Sequence, residues 1–438
     1  MFRPRILIAL AVVCATLLAS CAPGDSVAAI EPEDAPATTT TIAATTTSST
    51  TTTSSTTTTT TIPTFTLRGS VTASDGSPLP DAVVEVAGQS VVTDESGGFW
   101  LAEVPADTIR ISRLAWMPAE IEWDGSGVVD VALDPRVVRA LRAIPAVAGD
   151  PDQFEDLLTL ADASAVNALI FDTKDETGKV RYATDVAAAH SLNAINVTYD
   201  PVEAIELAHQ RGLYAITRVV TFEDEVWTAN DPDAKLAWHW VDPANPANWE
   251  YPLGLAVEAC ELGFDEIQFD YVRFPAGRTA EIARSRIPAT ADDRVAAIHA
   301  FLTEARTRLH PMGCALSADI FAIVVSSPTD EGIGQRPEDL SQAVDAISPM
   351  VYPSHYSPGW LGFPDPNDHP GPVTADAIED ALPRLAPGTV LRPWLQAFYY
   401  TPAQILEGIN EAESRDVGWM LWHAGGVYRL AALPEPPP

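Results

Sequence analysis

The chain has 438 residues, 46% of them apolar, with 60 acidic against 26 basic side chains and a formal net charge of −34. That length allows two domains beside a targeting segment, each large enough to bury a core. A surface this negative repels phosphate backbones and anionic lipid heads, so nucleic acid is excluded as a partner and solubility is the plain meaning of the acidity.

Arg3 and Arg5 precede an apolar run from Ile6 to Leu18, which is short for a bilayer span and reads as a targeting segment. The run closes in Leu18-Ala19-Ser20-Cys21, which resembles a bacterial lipobox. The resemblance implies removal of residues 1–20 as a lipoprotein signal peptide and lipidation of Cys21. An ordinary secretory signal with a coincidental cysteine is the alternative. Either way the mature protein is expected outside the cytoplasm, secreted or touching the membrane only through a lipid anchor. Residues 21–63 read as a disordered linker, dominated by a Thr/Ser tract from 38 to 61 that is broken only by Ile42, Ala43 and Ala44. Such a tract cannot bury enough apolar surface to fold. As a flexible coil it would span about 25–30 Å and act as a tether. Cys14 leaves with the signal, so Cys260 and Cys314 remain for the folded part. Their separation in sequence gives no distance, no metal-type spacing joins them, and two separately buried thiols are expected.

Residues 64–134 read as short strands between Gly/Pro turns: 66–71, 82–86, 99–101, 108–111 and 128–131. Even spacing of this kind predicts a small all-β sandwich. Gly69, Val71, Thr72, Gly76, Pro78, Leu79, Pro80, Asp81, Ala82, Val84, Val86, Thr93, Asp94, Gly97 or Gly98, and Phe99 follow an order that resembles the carboxypeptidase regulatory-like domain. The resemblance implies a transthyretin-like sandwich serving as a spacer, or less plainly as a carbohydrate binder. No catalytic set is visible in it.

From residue 137 to about 432 strands and helices alternate. Strands are predicted at 137–144, 168–172, 213–220, 264–272, 315–321, 346–352, 390–398 and 418–422, with helices at 151–163, 201–211, 248–261, 294–309, 337–344, 374–385 and 402–413. Eight strands with intervening helices in this length predict a (β/α)8 TIM barrel. A doubly wound open sheet is the alternative, but no glycine-rich nucleotide loop follows the first strand.

Residues at the C-terminal ends of barrel strands form the active face. On the fourth strand, Glu266, Gln268 and Asp270 share one face and Ile267, Phe269 and Tyr271 the other. A polar row ending in a carboxylate marks an inner wall opening into a site. Glycoside hydrolysis needs one carboxyl to protonate the departing oxygen and a second to attack or to activate water. Asp270 is the expected nucleophile or base and Asp319 the expected acid, with Asp172 the rival for either role. Each has a plainer reading as half of a structural ion pair, for instance Asp270 with Arg273 or Asp172 with Lys174. Substrate contacts are expected from Lys174, Arg218, Tyr271, Arg273, Tyr352, His355, Arg392, Trp394, Gln396 and Trp422, since aromatic faces stack on sugar rings and polar groups fix hydroxyls. Trp394 and Trp422 could equally be buried in a barrel layer.

The stretches 167–178, 218–224, 264–275, 317–321, 348–356, 392–398 and 418–422 together resemble the bacterial putative glycoside hydrolase domain, a TIM-barrel family long of unknown function. The resemblance spans residues 137–428 and implies the fold and a hydrolase class acting on an extracellular or cell-wall polysaccharide. It supplies no assigned catalytic pair. Glu223 stands where a lysine is usual before Asp224, and His423 where a small amide is commoner.

Other chemistries fit less well. A chitinase-type run of acids on the fourth strand is interrupted by Gln268 and Val272, no Gly-x-Ser-x-Gly elbow is present, and His355, His369 and His423 lack metal-ligand spacing. No cofactor and no metal are expected, which disfavours a polysaccharide deacetylase. A monomeric glycosidase is the reading, and a glycan-binding surface lipoprotein without turnover is the second.

Overall fold

A computed structural model describes residues 62–286 and 289–436. The expected signal peptide, Cys21 and the linker up to residue 61 lie outside the described residues. Among those described, no helix is long and apolar enough to cross a membrane.

The first folded part is a two-sheet sandwich. Thr64–Ala73 lies between Gly98–Pro105, antiparallel, and Val129–Leu133, parallel. Val83–Val86 and Thr108–Ser112 form the centre of a second, antiparallel sheet edged by Gln89–Val92 and Ala119–Glu122. Alternation explains the core: Val84 and Val86 face Ile109 and Ile111 inward, with Leu67, Val71, Phe99 and Trp123 from the facing sheet. The two edge strands escaped the sequence pattern because their side chains are mostly exposed and polar. Gly69 is demanded by packing, since a Cβ there would meet the Val129 carbonyl oxygen at 1.7 Å.

The second part is a closed eight-stranded parallel barrel. Its strands run in chain order: Arg139–Arg142, Ala168–Lys174, Tyr214–Val220, Glu266–Asp270, Ala315–Phe321, Ala346–Val351, a seventh in two pieces, and Trp419–Trp422, which pairs back onto the first. The seventh is split into Val390–Leu391 and Trp394–Gln396 by Pro393, which has no N–H for the ladder. Helix starts follow local chemistry. Asp150 and Asp200 accept backbone N–H groups ahead of Pro151 and Pro201, and Thr401 forms a reciprocal cap with Gln404. A small hairpin, Lys235–Ala237 with Trp240–Val241, rises after the third strand and was not anticipated.

Ala140, Ala168, Ile170, Ile216 and Met420 pack together as an apolar cluster in the barrel. Glu266, paired with Arg392, lies level with Ile216, and further charged groups follow above, so the barrel is filled rather than open.

The sandwich sits against the N-terminal rim of the barrel. Arg113 and Trp116 both donate to the Gly388 carbonyl, at 2.6 and 2.9 Å, just before the seventh strand. Asp81 pairs at 2.6 Å with Arg306, late in the helix that feeds the fifth strand. The sandwich is therefore on the face opposite the strand ends that carry the polar groups.

The expectation of two separate thiols is corrected. Cys260 and Cys314 form a disulfide, with Cα atoms 6.1 Å apart. They precede the fourth and fifth strands, and neighbouring parallel strands bring their entry points side by side. Closing a loop of 54 residues is worth about 4 kcal/mol on chain-entropy grounds. Cys260→Ser with Cys314→Ser should lower the melting temperature by several degrees, read by calorimetry. A melt identical to that of the oxidised parent would show that the two thiols are not joined.

Candidate active site

Strand parity brings the charged groups together. Arg142, Asp172, Arg218, Asp270 and Asp319 project from the first five strands into the upper lumen, each 4% exposed or less. Arg218 is the hub. Its Nη1 donates to Asp172 Oδ1 at 3.0 Å, its Nη2 to Glu176 at 2.8 Å, and its Nε and Nη2 to Asp270 Oδ2 at 2.9 and 2.5 Å. Arg142 grips the other Asp172 oxygen at 2.7 Å. Burial works against the charge on Arg218, but Glu176, Asp270 and Asp172 outweigh it and hold the guanidinium protonated far above its usual range.

Glu176, in the loop after the second strand, is 37% exposed on its side chain. Desolvation opposes its ionisation, yet Arg218 and Arg142 hold its carboxyl down to about 2. Asp319 behaves in the opposite way. Burial first, and the negative charge of Asp270 second, push it well above the usual carboxylate range. Its Oδ1 accepts the Trp394 indole N–H at 2.8 Å, while its Oδ2 has no hydrogen-bond partner. Asp319 Oδ2 lies 4.0 Å from the same Arg218 Nε that binds Asp270 Oδ2 at 2.9 Å, so these two oxygens are at most about 7 Å apart. Asp270 Oδ1 accepts the Tyr271 N–H at 2.6 Å, and Tyr271 takes a left-handed φ of 51°. Strain of this sort in a non-glycine residue, directly after a buried carboxylate, is typical of functional sites.

The structure separates the other expected residues. Tyr352 is buried close enough for Asp319 and Asp270 to raise its phenol, burial being the larger cause. Trp422 lies half-buried beneath Arg142 and Arg218, at 4.1 and 4.9 Å from its ring. His355 sits exposed on the rim against Tyr352 and Phe398. Trp394 is 1% exposed, so it is a support for Asp319 and not a sugar platform. Gln396 straps a loop, accepting from the Ser354 N–H and donating to Asn367 and Phe398.

Two expected contacts are corrected. Lys174 is fully buried with its Nζ 2.6 Å from Asp224, next to the rings of Trp227 and Tyr251. An irregularity in pairing, with Arg218 opposite Asp172 and Val219 opposite Lys174, breaks the alternation that would have carried Lys174 into the lumen. Arg392 is also fully buried, bound to Glu266 at 2.7 Å, and Glu266 lies four residues below Asp270 on its strand. The plain ion pairs expected for Asp270 with Arg273 and Asp172 with Lys174 do not form, because Arg218 and Arg142 take those carboxylates. Sequence reading passed over Arg142 and Glu176. The alternation that buries Ala140 would have placed Arg142 inward two residues later, whereas Glu176 sits in a loop with no periodic signal. Among the described residues no group of three or more His, Cys, Asp or Glu side chains is arranged to hold a metal ion.

Residues 144–428 match the family described as "Putative glycosyl hydrolase domain". The chain belongs to that family. Residues 66–133 match the carboxypeptidase regulatory-like domain. Among solved structures, the glycoside hydrolase domain of PgaB (BpsB) from Bordetella bronchiseptica is 11% identical with a TM-score of 0.51, covering 66% of this chain and 95% of that one. A hypothetical protein from Ruminiclostridium thermocellum ATCC 27405 is 29% identical over 41% of this chain and 96% of that one, with a TM-score of 0.36. A GH18 chitinase from Pseudoalteromonas aurantia is 15% identical over 65% and 93%, with a TM-score of 0.40. The first likeness shows a shared fold. No curated protein matches the chain significantly.

The raised Asp319 carboxyl has a consequence for stability. Its folded value lies above the unfolded one, so the native state holds a proton that the unfolded state has lost, and stability falls as pH rises above the unfolded value. Asp319→Asn keeps an acceptor for Trp394 and removes the titration. The variant should melt higher than the parent at pH 7, with a gap that narrows towards pH 4. A lower melting temperature for the variant at both pH values would mean the carboxylate is stabilising.

Proposed function

We propose that this protein is an exported glycosidase that cleaves an extracellular or cell-wall polysaccharide, with Asp319 as general acid and Asp270 as nucleophile or general base. The observation that carries the reading is the pairing of unlike carboxyls. Asp319 is pushed towards its protonated form and keeps one oxygen unpartnered, while Asp270 is bound by Arg218 within reach of the same space. Opposed environments for two neighbouring carboxyls are how acid and base roles are divided.

In this mechanism Asp319 donates its proton to the glycosidic oxygen as the bond to the anomeric carbon breaks. Asp270 then attacks that carbon or takes a proton from the attacking water. The limit of about 7 Å between the nearest oxygens admits either course. Asp172 has both oxygens held by arginines, so its role here is to position Arg218 and not to react. The sandwich on the opposite rim acts as a spacer.

A second reading has its own support. Asp270 and Asp319 are only 3% and 1% exposed, Asp172 is held at both oxygens by arginines, and Asp270 is held by Arg218 and the Tyr271 N–H, as in a barrel that binds glycan without turnover. Reducing-end release from a panel of cell-wall and exported polysaccharides, using the full chain, decides between them. Hydrolysis is expected, with Asp270→Asn and Asp319→Asn each lowering kcat at least about a hundredfold. The alkaline limb of the rate profile should be absent in Asp319→Asn, because the acid must be protonated to act. Binding without release by the parent would favour the second reading.

A further inference from the structure

Arg273 is the buried cation that this mechanism leaves unused. It follows Asp270 by three residues, beyond the left-handed turn at Tyr271, and is 6% exposed. Its guanidinium carbon lies 4.2 Å from the Phe321 ring, 4.5 Å from Trp240 and 5.2 Å from Tyr271. Those rings come from the fifth strand, the hairpin after the third, and the end of the fourth. The box is therefore assembled at the barrel mouth beside Asp270.

The hydrogen bonding of this side chain is incomplete. Nη1 donates to its neighbour's carbonyl, Phe274 O, at 3.1 Å, and Nε has no partner. The other arginines of the lumen, Arg142, Arg218 and Arg392, each contact a carboxylate within 3.0 Å. Among the described residues none does so for Arg273 within 4.0 Å. Glu223 and Asp270 influence it only from farther away. Burying an unpaired cation is costly. Three aromatic faces offset part of that cost, at about 0.5–2 kcal/mol each. They leave in-plane N–H groups that match the planar fork of a carboxylate.

We infer that Arg273 is a carboxylate-recognition subsite, and that the substrate is an acidic glycan bearing a carboxylate on the sugar unit next to the scissile bond. This rests on the glycan-binding mouth proposed above but not on turnover. Phosphate would also suit a guanidinium. A densely phosphorylated polymer is opposed by the chain's net charge of −34, however, which spaced carboxylates in an alternating glycan tolerate better. The carboxylate could belong to a hexuronate ring or to a lactyl ether on an amino sugar.

Calorimetric binding to the full chain tests this without requiring hydrolysis. The probes are a hyaluronan tetrasaccharide and its carboxyl-reduced form, and peptide-free peptidoglycan strands with lactyl carboxyls free or amidated. The parent should bind the charged member of one pair at least about tenfold more tightly than its neutral partner, and the pair that responds identifies the source. In Arg273→Gln that ratio should fall to about 1, with Arg273→Lys between. Equal binding of charged and neutral forms by the parent, or no binding of either pair, would overturn the inference. So would a parallel loss of both forms in Arg273→Gln with the ratio kept, since the arginine would then serve only to hold the rings. The parent's ratio decides the matter even if the glutamine variant does not fold. Hydrolysis of a neutral glycan with no charge preference would overturn this subsite and leave the glycosidase reading intact.

Discussion

One guanidinium holds the upper lumen together. Arg218 contacts Asp172, Glu176 and Asp270 and lies 4.0 Å from Asp319. Three buried carboxyls, with the partly exposed Glu176 at their edge, would otherwise repel one another and take up protons. The cation in their midst makes the cluster possible, and Arg142 adds a second from the first strand. The carboxyls differ in how burial and the arginines balance. The arginines hold Glu176 down, burial still raises Asp172 between its two arginines, and Asp319, which stands farther off and faces an indole, is pushed well above the usual carboxylate range.

The rest of the fold serves that arrangement. Carboxylates on separate strands can meet only if the sheet closes, and closure depends on the eighth strand pairing back onto the first. Ile170, Ile216 and Met420 pack below the Asp270 level, alongside the Glu266–Arg392 pair. The sandwich grips the opposite rim through Arg113 and Arg306, leaving the mouth unobstructed. In a chain with so many acidic residues, positive charge is spent sparingly. Arg142, Arg218 and Arg392 lie inside the barrel, where each faces a carboxylate, and Arg273 lies at its mouth without one.

Much of this was legible from residue order. Alternation on the fourth strand placed Glu266, Gln268 and Asp270 on the inner wall, and all three are buried there. Both domains and the barrel strands followed from hydrophobic pattern and turn residues, with bounds shifted by a few positions. Partnerships were not legible, because contacts such as Glu266 with Arg392 join residues far apart in sequence across the lumen. Lys174 was misplaced because one irregular pairing reverses strand parity, which no local pattern announces. Arg392 lies between the two pieces of its strand, short of the strand's C-terminal end at Gln396. The cysteine pair was hidden for a related reason, since adjacency depends on strand order and not on spacing.

Burial and the charge of Asp270 raise the Asp319 carboxyl well above the usual carboxylate range, and the proposed chemistry depends on that shift. Carbon-13 NMR titration of aspartate-labelled protein, parent against Asp270→Asn, reads this directly, with Asp319→Asn to assign the resonance. The expected result is an Asp319 carboxyl that titrates above the usual aspartate range in the parent and at lower pH once the Asp270 charge is removed. An Asp319 resonance that titrates in the usual aspartate range in the parent, and is unmoved by Asp270→Asn, would contradict it.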